Sequence, residues 1–146
     1  MSRTMELKVK YLVDGLRPID QAHQGELFDL RAAEDVELDA GEYKKIRLGI
    51  AMELPDGYEA HIYPRSSTFE KWGIIMTNSV GIIDNSYSGP NDEWQCPVFA
   101  LRRTKIHKND RICQMRLIYQ QPEVNVRVVH ELSNPNRGGF GSTGTN

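Results

Sequence analysis

The sequence predicts an all-β protein, a sandwich or barrel of many short strands, followed by a Gly-rich C-terminal tail. Three observations carry that expectation. Apolar residues recur with a period of two, turn-forming clusters separate the alternating runs, and no amphipathic stretch is long enough for an ordinary helix. Leu7, Val9 and Tyr11 alternate with Glu6, Lys8 and Lys10, which marks a strand with one face on a core. Asp39-Ala40-Gly41 supplies the turn chemistry before the next long run. In that run Ile46, Leu48, Ile50 and Met52 alternate with Arg47, Gly49 and Ala51, and Pro55-Asp56-Gly57 closes it. A short helix is predicted from Ser66 to Trp72, with Ser66 or Ser67 as its N-cap. Gly81-Ile82-Ile83 is an apolar strand running into the turn that starts at Asp84, and Ser88-Gly89-Pro90-Asn91 and Lys108-Asn109-Asp110 are further turns. Val124, Val126 and Val128 predict a last strand. From Asn134 the composition changes to NPNRGGFGSTGTN, which cannot pack a core and is expected to stay mobile until something orders it. The organisation expected is therefore one domain over 1–133 and an arm over 134–146.

A chain of 146 residues is long enough to bury one core and too short for two ordinary domains. With 39% apolar residues and a net charge of -2 it belongs among folded globular proteins, and the absence of a basic excess argues against broad nucleic-acid or membrane binding. A polyanion bound here is expected to be small and met by a few placed cations. Cys96 and Cys113 form no CxxC pair and no disulfide framework, and there is no apolar leader or long apolar run, so a cytoplasmic protein with reduced thiols is expected. His23, His61, His107 and His130 lack zinc-site spacing and read as surface or packing residues.

Five stretches have side chains suited to chemistry, most with a structural reading beside the functional one. Asp84 in Gly81-Ile82-Ile83-Asp84-Asn85-Ser86-Tyr87 either caps its own turn in a β-hairpin or is a general base, with Tyr87 as an aromatic face for a sugar. Arg65 beside Ser66 and Ser67 is either a solvated cation at a capped helix or an oxyanion site built from a guanidinium fork and hydroxyls. Asp110-Arg111-Ile112-Cys113-Gln114 is a turn entering a strand and is uninformative by itself, with Gln114 readable as a satisfied core amide and Asp110 as a turn former. Asp29, between Phe28 and Leu30, is either a surface charge on an edge strand or a carboxylate aimed inward at a cation. The tail around Arg137, Phe140, Ser142 and Thr143 is either a disordered end or a glycine backbone that approaches a phosphate with one charge and one ring.

Taken together and in this order, FDL, RSS, GIIDNSYSG, DRICQ and GGFGSTG resemble the five sequence blocks of the trimeric dUTPase family, from Asp29 to Gly144. The resemblance implies a jelly-roll-like β-barrel whose C-terminal arm closes the active site, and hydrolysis of dUTP to dUMP and pyrophosphate. It implies Mg²⁺ as cofactor, with Asp29 and Gln114 near the metal through water. It further implies that Arg65, Ser66, Ser67, Gln114, Arg137, Ser142 and Thr143 hold the phosphates. Asn78, Gly81, Ile82 and Ile83 would read uracil, Tyr87 would pack on deoxyribose, and Phe140 would close over the base. Asp84 would activate the attacking water. The family's active sites are shared between the subunits of a homotrimer.

Two departures stand out. The family's tail typically has two more residues between its Arg and Phe than Arg137-Gly138-Gly139-Phe140, and Pro90-Asn91-Asp92-Glu93 resembles a small insertion found in a bacterial and phage subgroup. The alternatives within reach of the sequence are a dCTP deaminase-related enzyme, which would not need the GGFGSTG arm, and a nucleotide-sensing regulator with a protein partner.

Overall fold

The structure is a computed structural model and describes residues 4–20 and 25–141. Among these residues it has eleven strands and one helix, in the order β1 (Lys8–Tyr11), β2 (Phe28–Arg31), β3 (Val36–Leu38), β4 (Tyr43–Arg47), β5 (Ile50–Glu53), β6 (Tyr58–Pro64), α1 (Thr68–Trp72), β7 (Ile74–Met76), β8 (Gly81–Ile83), β9 (Gln95–Ala100), β10 (Thr104–Ile106) and β11 (Arg111–Tyr119). The strands pair antiparallel in four small sheets, ordered β1-β5, β10-β3, β2-β11-β6-β8 and β4-β9-β7. Neighbours in a sheet are mostly distant in sequence, as in a jelly roll, where the chain passes repeatedly between layers. Their inward faces meet in one core that includes Leu30, Leu48, Ile62, Trp94, Val98 and Met115, all without exposed surface or nearly so. Fully burying an aliphatic side chain of this size contributes roughly 1.5–3 kcal/mol, so this shared core holds strands too short to stand alone. No helix among the described residues is long and apolar enough to cross a membrane.

Four sequence expectations change. The run from Ile46 to Met52 is not one strand. It breaks at Leu48-Gly49, β4 pairs with β9 and β5 with β1, and Ala51, expected outside, is buried. Gly49 makes the crossing, because its φ of 68° is left-handed and a Cβ there would lie 2.9 Å from that of Ala33. The helix begins after Ser67, but the Ser67 hydroxyl makes no cap; Thr68 Oγ1 instead accepts the Arg65 N–H at 2.8 Å. The strand Gly81–Ile83 does not pair with β7, its predecessor. β8 lies on β6 and β7 on β9, so the segment links two sheets and is no simple hairpin.

The fourth change is the largest. Val124, Val126 and Val128 pair with no strand among the described residues and are 61%, 83% and 92% exposed. Packing ends at β11, and every described residue from Tyr119 to Gly141 is exposed, so the end of packing precedes the change in composition at Asn134. The alternation at 124–128 is real, but no strand edge among the described residues takes it up.

Candidate active site

The four-stranded sheet β2-β11-β6-β8 carries most of the predicted site residues. At one end, Asp29 of β2 faces Gln114 of β11, which in turn faces Tyr63 of β6. Asp29 is 3% exposed, and of its two readings the inward one holds: Arg65 Nε lies 2.9 Å from Oδ1 and Arg111 Nη1 3.5 Å from Oδ2. The Arg65 N–H does not point along that contact, so Oδ1 has ion pairing without an aligned hydrogen bond. Arg65 Nη1 also donates to the Arg111 carbonyl at 3.2 Å, and Gln114 Nε2 donates to the Pro64 carbonyl at 3.1 Å. Below them Thr68, fully buried, donates its hydroxyl to the Ile112 carbonyl at 2.9 Å and ties the turn after β6 to β11. Ser66 is exposed and Ser67 half-buried beside Arg65. The helix is five residues long, so the guanidinium and hydroxyls, more than a helix dipole, suit this end to an anion.

Arg111 was not singled out from the sequence. It stands three residues before Gln114, and in a regular strand an odd separation puts two side chains on opposite faces. A bulge between Arg111 and Cys113 places an extra residue on β11 opposite β2 and re-aims Arg111 towards Asp29. The motif contained the residue, but nothing in its spacing gives the bulge away.

The second group lies further along the sheet. Gly81 faces Ile62, and a Cβ on it would come to a tight 3.1 Å from Ile62 Cβ, whereas the Asn78 amide nitrogen, at 3.5 Å, would be in ordinary contact; the glycine therefore serves the close approach of β8 to β6. Ile82 is exposed and Ile83 half-buried. Asp84 follows β8 directly and is exposed. Its Oδ1 accepts the Ser86 N–H at 2.7 Å, and its carbonyl accepts the Tyr87 N–H at 3.0 Å. Asn85 locks the turn to the body by donating to the carbonyls of Pro55 and Tyr58 at 2.9 and 2.8 Å. The turn-capping reading of Asp84 therefore holds, and it is compatible with the other, because the residue stays exposed.

The same geometry sets the charge of Asp84. The hydrogen bond from the Ser86 backbone, then that from its hydroxyl, lower the Asp84 pKa below the ordinary 3.8, against a small opposing effect of burial. A depressed folded-state pKa means that the ionised form prevails from neutrality down to that value and is lost only as the pH falls through it. A ¹³C NMR titration of the Asp84 carboxyl is expected to show a midpoint below 3.8. Correspondingly, any acid limb of kcat/KM from this residue should lie lower in pH than that of an ordinary aspartate.

The third group is on the tail. Among the described residues Arg137 donates from Nη1 to the Gly138 carbonyl at 3.3 Å, and Phe140 is fully exposed with a φ of 48°. His23, Ser142 and Thr143 lie outside the described residues.

The first two groups do not form one site within the chain. Ala60 faces Ile83, which puts Asp84 level with Glu59, whereas Arg65 follows the opposite end of β6. At about 3.3 Å per residue, Glu59 and Arg65 are roughly 20 Å apart along the strand. Nor is there a metal cage: among the described residues no three His, Cys, Asp or Glu side chains come together. A hydrated Mg²⁺ needs no such cage, since it keeps much of its water and binds phosphate oxygens. Asp29, with an oxygen lacking an aligned hydrogen bond, and Gln114 beside it suit the outer shell of such an ion.

Comparison with known proteins decides the family. A model of the dUTPase family matches residues 20–144. The chain belongs to the dUTPase family. It is 54% identical over 141 residues to the SPbeta prophage-derived deoxyuridine 5'-triphosphate nucleotidohydrolase YosS of Bacillus subtilis, covering 97% of this chain and 99% of that protein. The deoxyuridine 5'-triphosphate nucleotidohydrolase of Nautilia profundicola is 38% identical, over 96% of this chain and 99% of that one. Among solved structures, the dUTPase of Staphylococcus bacteriophage 80alpha with dUPNHPP superposes with a TM-score of 0.77 at 23% identity, covering 97% of this chain and 100% of that chain. The dUTPase from phage phi11 of S. aureus, in which a structural Mg(II) ion is coordinated, gives 0.74 at 19% identity, over 89% of this chain and 100% of that one. At such identities the structural likeness establishes the dUTPase fold, the jelly roll expected from the sequence.

Proposed function

We propose that this dUTPase-family chain hydrolyses dUTP to dUMP and pyrophosphate as a homotrimer, with Asp84 as the base that activates water for attack at the α-phosphorus. The observation that carries the reading is the Asp84 turn, where an exposed carboxylate held by Ser86 keeps its charge at neutral pH. Asn78, Gly81, Ile82 and Ile83 hold the uracil edge, where fixed donors and acceptors reject cytosine because the wrong base leaves polar groups unpaired. Tyr87 packs on the deoxyribose. Arg65, Ser66, Ser67 and Gln114 take the phosphates, with Asp29 holding the Arg65 guanidinium in place. Mg²⁺, when bound, neutralises charge on the triphosphate and the departing pyrophosphate, and Asp29 and Gln114 would hold it through its water.

A shared site is supported by the spacing of the groups. Asp84 and Arg65 of one chain are too far apart to serve one α-phosphate, so the base of one subunit works with the cations of another. The unpaired valines at 124–128 support the same assembly, since a stripe of this kind gains stability only by covering it, and a neighbouring copy offers the surface. Beyond it the arm over 134–146, with Arg137, Phe140, Ser142 and Thr143, closes over a neighbour's nucleotide. That the copies number three rests on the family. A cytoplasmic location goes with Cys96 and Cys113, both buried and free.

The deciding experiment is pyrophosphate release from dUTP, dCTP, dTTP and UTP with and without Mg²⁺. Turnover confined to dUTP and dependent on Mg²⁺ is the expected result. Ammonia released from dCTP would move the chain to the deaminase branch, and tight dUTP binding without hydrolysis would favour a regulator.

A further inference from the structure

The insertion Pro90-Asn91-Asp92-Glu93 is folded tightly against the body. Asp92 Oδ2 accepts the Gly89 N–H at 2.9 Å and closes the loop. The Glu93 carboxylate, 19% exposed, receives Arg47 through both Nε and Nη2, at 2.9 and 3.0 Å, and also the Gly49 N–H at 3.3 Å. A two-pronged guanidinium–carboxylate pair is directional as well as strong. The next residue, Trp94, is fully buried, and its backbone bonds to Leu48 and Ile50 on either side of Gly49. Glu93 is thus fixed by side chain and by sequence neighbour to the crossing between β4 and β5.

The Glu93 carbonyl then accepts the Tyr87 phenol at 2.9 Å. Since the Tyr87 N–H is bound to the Asp84 carbonyl, the side chain is anchored at both ends: its backbone to the catalytic turn and its hydroxyl to the insertion. We infer that the Arg47–Glu93 pair is a specificity-determining device that acts through Tyr87, holding its ring at the position that leaves no room for a 2′-hydroxyl. The inference rests on the reading of Tyr87 as the residue packed on deoxyribose. The physical reason is that steric exclusion of one hydroxyl requires a wall that does not yield. Tyr87 is 40% exposed, so packing alone does not stop it from turning aside, whereas the hydrogen bond to Glu93 does. Arg47 and Glu93 touch no substrate in this account and are positioning residues.

The test is kcat/KM for dUTP and for UTP in the natural protein, Tyr87→Phe, Arg47→Gln and Tyr87→Ala, with Mg²⁺ present throughout. Tyr87→Phe keeps the ring and removes its tether, and the preference for dUTP over UTP is expected to fall about five- to tenfold, as loss of one hydrogen bond allows. Arg47→Gln is expected to lower the preference about threefold in the same sense, chiefly by raising kcat/KM for UTP. A pair that merely supports the fold would depress both substrates alike and leave the ratio unchanged, which would overturn the inference. If Tyr87→Ala abolishes the preference while Tyr87→Phe and Arg47→Gln retain it, the ring excludes the hydroxyl without help and the inference fails alone. If Tyr87→Ala retains the preference, the reading of Tyr87 falls and the inference with it. Should Arg47→Gln not fold, Tyr87→Phe, which removes a hydroxyl and no packing, still decides.

Discussion

Replacing Asp84 with asparagine is expected to lower turnover of dUTP by at least about a thousandfold while leaving dUTP affinity within a fewfold. The substitution is nearly isosteric, and the Ser86 N–H that now meets Oδ1 finds an amide oxygen in the same place, so the turn should keep its shape. What is lost is the charge and the ability to accept a proton. Asp84 is exposed and contributes nothing to the core, so the unfolding midpoint is expected to stay unchanged. Steady-state kinetics with isothermal titration of a non-hydrolysable dUTP analogue separates the two quantities. A variant that turns over within tenfold of the natural protein would remove Asp84 from the role of base.

Arg65→Leu is expected to fail in a different way, losing both activity and stability. Asp29 is buried, its contact with Arg111 is longer than that with Arg65, and removing the nearer cation leaves a carboxylate in the core with a partial partner. Breaking a buried pair from one side costs about 3 kcal/mol, which chemical denaturation reads directly. The loss of a donor to the phosphates lowers kcat/KM by roughly a hundredfold or more. The double variant Asp29→Asn/Arg65→Leu removes both charges, so it should regain most of the stability and none of the activity. Co-assembly of Asp84→Asn with Arg65→Leu subunits then tests how the site is shared. If base and cation come from different subunits, each mixed trimer contains one intact site, and a one-to-one mixture recovers roughly a quarter of natural turnover. If both come from one subunit, the mixture stays as inactive as its parents.

The turn proposed for the catalytic role was legible because it is local. Gly81 to Gly89 holds strand, acid, turn and aromatic in nine consecutive residues, and the hydrogen bonds that place Asp84 run to residues two and three positions on. The RSS turn was legible for the same reason, although the hydroxyl that closes it is that of Thr68 and the Ser67 side chain makes no cap. Asp29 was only half legible. A lone acid between apolar residues demands a partner, but its partners, Arg65 and Arg111, are 36 and 82 positions away and meet it only across a sheet. Arg111 and the Glu93–Arg47 pair were not legible at all. The first depends on a bulge and the second on a contact 46 positions apart, neither of which leaves a mark in composition or period.

The sequence by itself determined the all-β class, the one core, the turns and the types of side chain available for the reaction, since a period of two and turn chemistry are properties of neighbours along the chain. Tertiary structure decided which strand lies beside which, that the run from Ile46 to Met52 divides between two sheets, and that the valines at 124–128 find no edge of their own. It also set Arg65 and Asp84 at opposite ends of one strand. Pairing in a sheet is a contest among distant segments for the same edges, settled by how the whole core packs, and a local pattern states only that a segment is fit to compete.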